Sequence, residues 1–198
     1  VAGNAEVTEK FEKLIAGKPA ECEITCKVFR REQGSGNSYE CLVGTASGIP
    51  EEILESVKEG FESSLSSGIN YGYPCTDTGI VVTGIEYNEE TANPAAYAAC
   101  ASSAFDKVCN MAGPELLEPV MNVDINCPKE FTGEAMSQMT ARGGIILGQD
   151  SKSNGEIVHA QAPMAKMFGF STSLRSATQG RAGFAMEFSH FQLKVGGL

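Results

Sequence analysis

Arg175 and Arg181 stand on either side of a polar turn, Ser176-Ala177-Thr178-Gln179-Gly180. Two guanidinium forks beside hydroxyl and backbone donors make a site for phosphate or for an acidic protein surface. The same residues also fit a helix end in which Gly180 closes the turn and Arg175 packs on a sheet. Both readings stand at this point. Arg142 precedes Gly143-Gly144 at the end of an apolar-periodic segment. There a cation offsets the negative end of a helix dipole, and an exposed arginine could also touch RNA. His159 and His190 fall on strand patterns with no nucleophile pattern beside them, which favours packed or hydrogen-bonded roles. Catalytic motifs are missing from the sequence. There is no G-x-x-x-x-G-K-[ST] phosphate loop, Gly17-Lys18-Pro19 is not a remnant of one, and no G-x-S-x-G elbow occurs.

The seven cysteines include no C-x-x-C pair and no histidine at metal-ligand spacing. Cys22, Cys26, Cys41, Cys100 and Cys109 sit among small or apolar residues, as expected of buried fillers in a reducing cytosol, so neither a metal nor a redox role is expected. Met136, Met139, Met164, Met167 and Met186 read as interior filler in the same way.

The elements that must carry these residues can be read from periodicity. Residues 8–15 place Phe11, Leu14 and Ile15 at helical spacing and stop at Gly17, predicting a short helix. Residues 23–31 alternate as a strand, with Ile24, Cys26 and Val28 on one side, and a turn at 33–37 leads to a second strand at 39–43, predicting a hairpin. Pro50 opens a helix with Glu51 and Glu52 in its first turn and an apolar stripe of Ile53, Leu54, Val57, Phe61 and Leu65, closed by Gly68. A β-rich run at 78–85 precedes an alanine-rich helix that starts at Thr91 or Asn93 and stops at Gly113-Pro114.

Residues 116–119 read as a link. After it come a strand at 120–126, a helix opened by Pro128, a strand at 144–148, a hairpin at Ser153-Asn154-Gly155 and a return strand at 156–162. A helix at 166–176 and a strand at 183–194 complete a β-α-β-β-α-β order, the ferredoxin-like arrangement.

Hydrophobic residues make up 42% and charged residues 20%, the balance of an ordinary globular chain, and 198 residues suffice for one large or two small cores. No run of 18 apolar residues occurs, so no membrane span is expected, and residues 1–10 lack the apolar core of a signal peptide. Charge divides unevenly. From Pro119 onward seven basic residues face six acidic ones, a net of +1, whereas residues 1–118 hold eight basic against nineteen acidic, a net of −11. A module that faces RNA usually displays basic surface.

Three stretches, LLEPVMNVDINCP, TARGGIILG and MAKMFGFSTSLRSATQGRAGFAMEFSHF, closely resemble the last domain of elongation factor G. YECLVGTASGIPEEILESVKEGFESSLSSG and GYPCTDTGIVVTG resemble the domain before it more loosely, so the resemblance covers residues 39–191. It implies an α+β chain: a domain IV-like unit at 1–117 similar to domain 2 of ribosomal protein S5, then a ferredoxin-like, domain V-like unit at 118–198. It further implies a cytoplasmic, ribosome-binding C-terminal part of a translational GTPase that moves tRNA and mRNA. Its partners would be rRNA, ribosomal proteins, and tRNA and mRNA in the decoding site, together with N-terminal GTPase domains in cis. GTP and Mg would belong to those domains, leaving this chain without a cofactor and without GTPase activity of its own.

The family's first tip loop is glycine-rich and basic, and only Gly17 and Lys18 echo it in Ala16-Gly17-Lys18-Pro19-Ala20. The second tip loop carries a histidine in the family. Here Glu86-Tyr87-Asn88-Glu89-Glu90-Thr91 is one residue shorter and acidic. By resemblance Gly17, Lys18, Asn88 and Glu89 face the decoding site, while Arg175, Ser176, Thr178, Gln179 and Arg181 face large-subunit RNA and neighbouring domains; Arg142 is a further candidate RNA contact. Carboxylates near phosphates repel, which suits a paralogue specialised in ribosome recycling or protection. A ferredoxin-like module for small molecules or proteins is the alternative from another class.

Overall fold

The computed structural model describes residues 1–195, which divide into a unit of Val1–Glu115 and a unit beginning at Leu116. In the first unit β1 (Ala5–Ile15), β2 (Lys18–Arg30), β3 (Ser38–Cys41) and β4 (Thr78–Glu86) form one sheet in the order β1-β2-β4-β3. Alternation makes β2 two-faced: Ala20, Cys22, Ile24, Cys26 and Val28 are buried, and Glu21 and Lys27 point to solvent.

Two helices, α1 (Glu51–Ser67) and α2 (Pro94–Ala112), supply the apolar surface for that core: Ile53, Val57, Phe61 and Leu65 from the first, and Tyr97, Cys100, Ala104, Phe105 and Val108 from the second. Asn93 caps α2 by accepting from the backbone N–H of Ala95 and Ala96, with Pro94 at the first helical position. The helices approach closely at Gly60, where a Cβ would lie 2.5 Å from the Ala98 carbonyl oxygen and 2.8 Å from the Ala101 Cβ. Glu9 is the buried carboxylate of this unit. Burial opposes its charge, but Lys107 Nζ donates to it at 2.5 Å and Ser103 Oγ at 2.7 Å, and these bonds hold its carboxyl below the usual range.

Three local expectations change. Residues 8–15 are not a helix but most of β1, paired in register with β2 from Ala5–Val28 to Ile15–Lys18. The helical spacing of Phe11, Leu14 and Ile15 was accidental, because eleven ladder pairs and the burial of Val7 and Phe11 against the core outweigh a weak propensity. Gly17 is accordingly a turn residue rather than a helix stop. Ala16 and Gly17 both have positive φ, 51° and 80°, as a two-residue primed turn between strands demands. Finally, β3 does not pair with β2 as a hairpin. It runs parallel to β4, with α1 as the crossover between them.

The second unit contains β5 (Leu117–Cys127), α3 (Thr132–Thr140), β6 (Ile145–Lys152), β7 (Gly155–Pro163), α4 (Phe170–Ala177) and β8 (Gly183–Leu193), in the expected β-α-β-β-α-β order. Its sheet is antiparallel, in the order β6-β7-β5-β8. Val123, Ile125, Val158, Ala160 and Ala162 meet Ala135 and Met139 of α3 and Phe170 and Leu174 of α4. Residues 117–119, read as a link, belong to β5: Leu117 pairs with Leu193 and Pro119 with Phe191. Of the methionines, Met139 and Met167 are buried and Met136 packs against the core, but Met164 and Met186 are exposed. Among the described residues no helix is long and apolar enough to cross a membrane.

Candidate nucleic-acid interface

The turn after α4 sorts its polar residues by direction. Phe170 and Leu174 bury the helix, and Thr178 ends it fully buried. The Thr178 hydroxyl donates to the Leu174 carbonyl at 2.7 Å and accepts from the Ala182 N–H at 3.2 Å. Gln179 and Gly180 then turn the chain through positive φ, and the Gly180 N–H donates to the Arg175 carbonyl at 2.7 Å. This geometry leaves Arg175, Ser176 and Gln179 exposed on one corner and turns Thr178 inward.

The two arginines therefore do not act as a matched pair. Arg181 donates to Glu130 at 2.5 Å and stacks 4.7 Å from the centre of the Phe131 ring, which ties the turn to the segment before α3. Arg175 has no side-chain hydrogen bond or ion pair among the described residues. The capping reading holds for Gly180, while Arg175 does not pack on the sheet. Arg142 is a strut: its guanidinium donates to the carbonyls of Lys166 and Phe168, each at 2.8 Å, and to Ser173 Oγ at 2.7 Å, and it lies 5.5 Å from the Phe170 ring centre. Residues 157–186 contain Lys166, Arg175 and Arg181 and no Asp or Glu, in a chain whose net charge is −10. Lys166 is a cation that motif reading missed, and this carboxylate-free run was the signal that could have found it.

Both histidines have partners. His159 bridges two carboxylates, Nδ1 to Asp124 at 2.7 Å and Nε2 to Asp150 at 3.1 Å. These bonds, to Asp124 first and Asp150 second, raise its pKa above the usual histidine value. His190 Nδ1 is hydrogen-bonded to Ser189 Oγ at 3.0 Å.

In the first unit, Gly17 forms the tip of the β1–β2 hairpin, and Lys18 begins β2 beside it. Register brings a second cation there, Lys13, directly across from Ala20, with its ammonium 5.1 Å from the Phe11 ring centre. The helix expected at residues 8–15 had hidden it. Lys10 pairs with Glu12. Carboxylates face one another across the ladder, Glu12 opposite Glu21 and Glu23 opposite Glu86. In the following loop Asn88 is a turn former whose side chain accepts from the Glu90 N–H at 3.0 Å, leaving Glu89 and Glu90 exposed. The Thr91 carbonyl accepts from the Glu21 N–H at 3.4 Å, so this loop docks on β2.

A family model described as elongation factor G, domain IV matches residues 2–113, and one described as elongation factor G C-terminus matches residues 115–196. The chain belongs to the elongation factor G family. Elongation factor G 1 of Treponema denticola is 55% identical over 195 residues, and elongation factor G 2 of Treponema pallidum is 43% identical over 194. Each alignment covers 94% of this chain but only 29% and 28% of the respective relative, so the chain spans less than a third of their length. A crystal structure of a Thermus thermophilus protein superposes with a TM-score of 0.87 at 28% identity, over 97% of this chain and 28% of that one. The two α+β units are those of elongation factor G domains IV and V, and the match extends through residues 2–38, where Gly17 and Lys18 alone echoed the family. This membership supersedes the reading as a ferredoxin-like small-molecule or protein-binding module.

Proposed function

We propose that this chain is the ribosome-engaging end of an elongation-factor-G-type GTPase that works in the cytoplasm and moves tRNA and mRNA through the ribosome. The observation that carries the reading is the α4 corner: an unpartnered Arg175 beside exposed Ser176 and Gln179, on a stretch without carboxylates in an acidic chain. The Arg175 fork suits a phosphate, while the Ser176 hydroxyl and the Gln179 amide supply further donors to a backbone or base edge. Arg142, Thr178 and Arg181 hold that corner in place and are not themselves the contacts. The first unit offers the hairpin tip with Lys13 and Lys18 to the decoding site. With no phosphate loop in its sequence, this chain performs no nucleotide step, which falls to the remaining length seen in its relatives.

The test is cosedimentation of the full-length factor with ribosomes across a salt series. Arg175→Ala should weaken binding and reduce the salt slope by about one counterion. An unchanged slope would remove the corner from the interface. Calorimetry of this chain with GTP should show no binding, and micromolar affinity would overturn the assignment of nucleotide chemistry to other domains.

A second reading rests on the tip. Glu12 and Glu21 face each other one pair beyond Lys13, Glu23 and Glu86 face each other further along the sheet, and Glu89 and Glu90 are exposed on the following loop. So many carboxylates oppose the close approach of phosphates. On that reading the full-length factor is a specialised paralogue that translocates slowly but keeps ribosome-stimulated GTP turnover. Single-turnover translocation beside a housekeeping factor decides it, since equal rates would show the acidic tip to be harmless.

A further inference from the structure

Six of the seven cysteines lie in the first unit, and all seven are free. Two of them meet across an interface between elements. Cys22 is on the helix-facing side of β2, and its Sγ donates to the Ala96 carbonyl at 3.5 Å. That carbonyl lies one turn before Cys100 on α2, and helix geometry tilts the Cys100 side chain back over the same turn. The Cys100 Sγ in turn donates to the Glu9 carbonyl at 3.5 Å. Glu9 is two residues from Phe11, the cross-strand partner of Cys22. Both contacts bring the sulfurs to one spot between β1, β2 and α2. The neighbouring Cys100 side chain holds the Cys22 thiol below the ordinary thiol range although burial opposes it, and Cys22, with burial, pushes Cys100 above that range. At Cys26 and Cys109 burial dominates and pushes each up to about 12.

We propose that Cys22 and Cys100 form an oxidation site that a small peroxide converts to a disulfide, joining the strand that begins at the hairpin tip to the helix that follows the second tip loop. The Cys22 sulfur attacks one oxygen of hydrogen peroxide. The O–O bond breaks, a sulfenic acid forms on Cys22, and the departing hydroxide leaves as water with the thiol proton. The Cys100 sulfur then attacks the Cys22 sulfur. The S–S bond forms, the S–O bond breaks, and the second oxygen leaves as water with the Cys100 proton. The two thiols are oxidised by two electrons in total, and the peroxide is reduced to two waters. Both residues are at most 4% exposed, so only a small oxidant reaches them in the folded state.

The experiment treats the folded 198-residue chain with hydrogen peroxide, quenches it, unfolds it, alkylates it and maps the peptides. Titratable thiols should fall from seven to five, a Cys22 peptide should be linked to a Cys100 peptide, and dithiothreitol should restore all seven. Cys22→Ser and Cys100→Ala, each checked by circular dichroism, should lose the linked peptide. The melting temperature of the unsubstituted chain should rise on oxidation and return on reduction. Seven thiols surviving treatment would overturn the proposal, as would a dominant link through another pair such as Cys75 with Cys109.

Discussion

Removing the Arg142 guanidinium leaves the Lys166 and Phe168 carbonyls and the Ser173 hydroxyl without their shared donor. Arg142→Ala should therefore destabilise the second unit by about 1–3 kcal/mol, the range for lost bonds to a charged group. Arg175→Ala should change stability by no more than about 0.5 kcal/mol, as expected of an exposed side chain with nothing to lose. Urea melts of both variants check the contrast, and equal losses would show that Arg175 is a strut as well. His159 makes a pH-dependent contribution. Asp124 first, and Asp150 second, favour its charged form, so its folded pKa lies above its unfolded one. Its stabilisation is complete below the ordinary histidine value of about 6.5 and is lost as pH rises through the raised folded value. Urea midpoints measured upward from about pH 5 should decline across that window, and His159→Gln should flatten the decline. At this scale the sequence put Arg142 and Arg175 at helix ends but could not say which arginines were occupied, because Glu130, Phe131 and the Lys166 carbonyl approach only through the fold.

Gly60 shows how an element can be tuned for its neighbour. A glycine inside a helix costs about 1 kcal/mol relative to alanine when exposed, yet here the methyl of alanine would run into the Ala98 carbonyl and Ala101. Gly60→Ala should lower stability by about 1–3 kcal/mol through overpacking, read by thermal melting, whereas a gain would mean that α1 and α2 have room to separate. Elements with a long and consistent pattern were legible: the stripe of α1, the alternation of β2, and the whole β-α-β-β-α-β unit. Residues 8–15 were not, since three apolar positions satisfied a helical period while the partner that decided the matter, β2, began beyond a turn whose first residue is Ala16. Asn or Gly at that position would have announced the hairpin. The partner of β3 was equally hidden, because a parallel pairing across α1 leaves no local trace.

Each unit holds its own core, with Phe61 and Phe105 in one and Phe170 and Met139 in the other. A chain of residues 116–198 should accordingly fold alone and give a dispersed amide spectrum. A start at residue 119 would delete the Leu117–Leu193 pair and fray β8. Collapse of the 116–198 spectrum would mean that the first unit is needed for the second to fold. The acidic balance of residues 1–118 and the slight positive balance beyond them also separate there, which composition already disclosed. Both units share one trait of closure. The Ala2 N–H donates to the Gly113 carbonyl at 2.7 Å in the first, and the Lys194 N–H to the Leu116 carbonyl at 2.9 Å in the second. A chain that returns to its own starting point is topologically a ring with one removable cut. The cut in the second unit could be moved to the exposed Ser153-Asn154 turn by a short bridge between the neighbouring Leu116 and Lys194, giving a circular permutant with the same sheet. The order in which these strands are synthesised is thus separable from the shape they adopt.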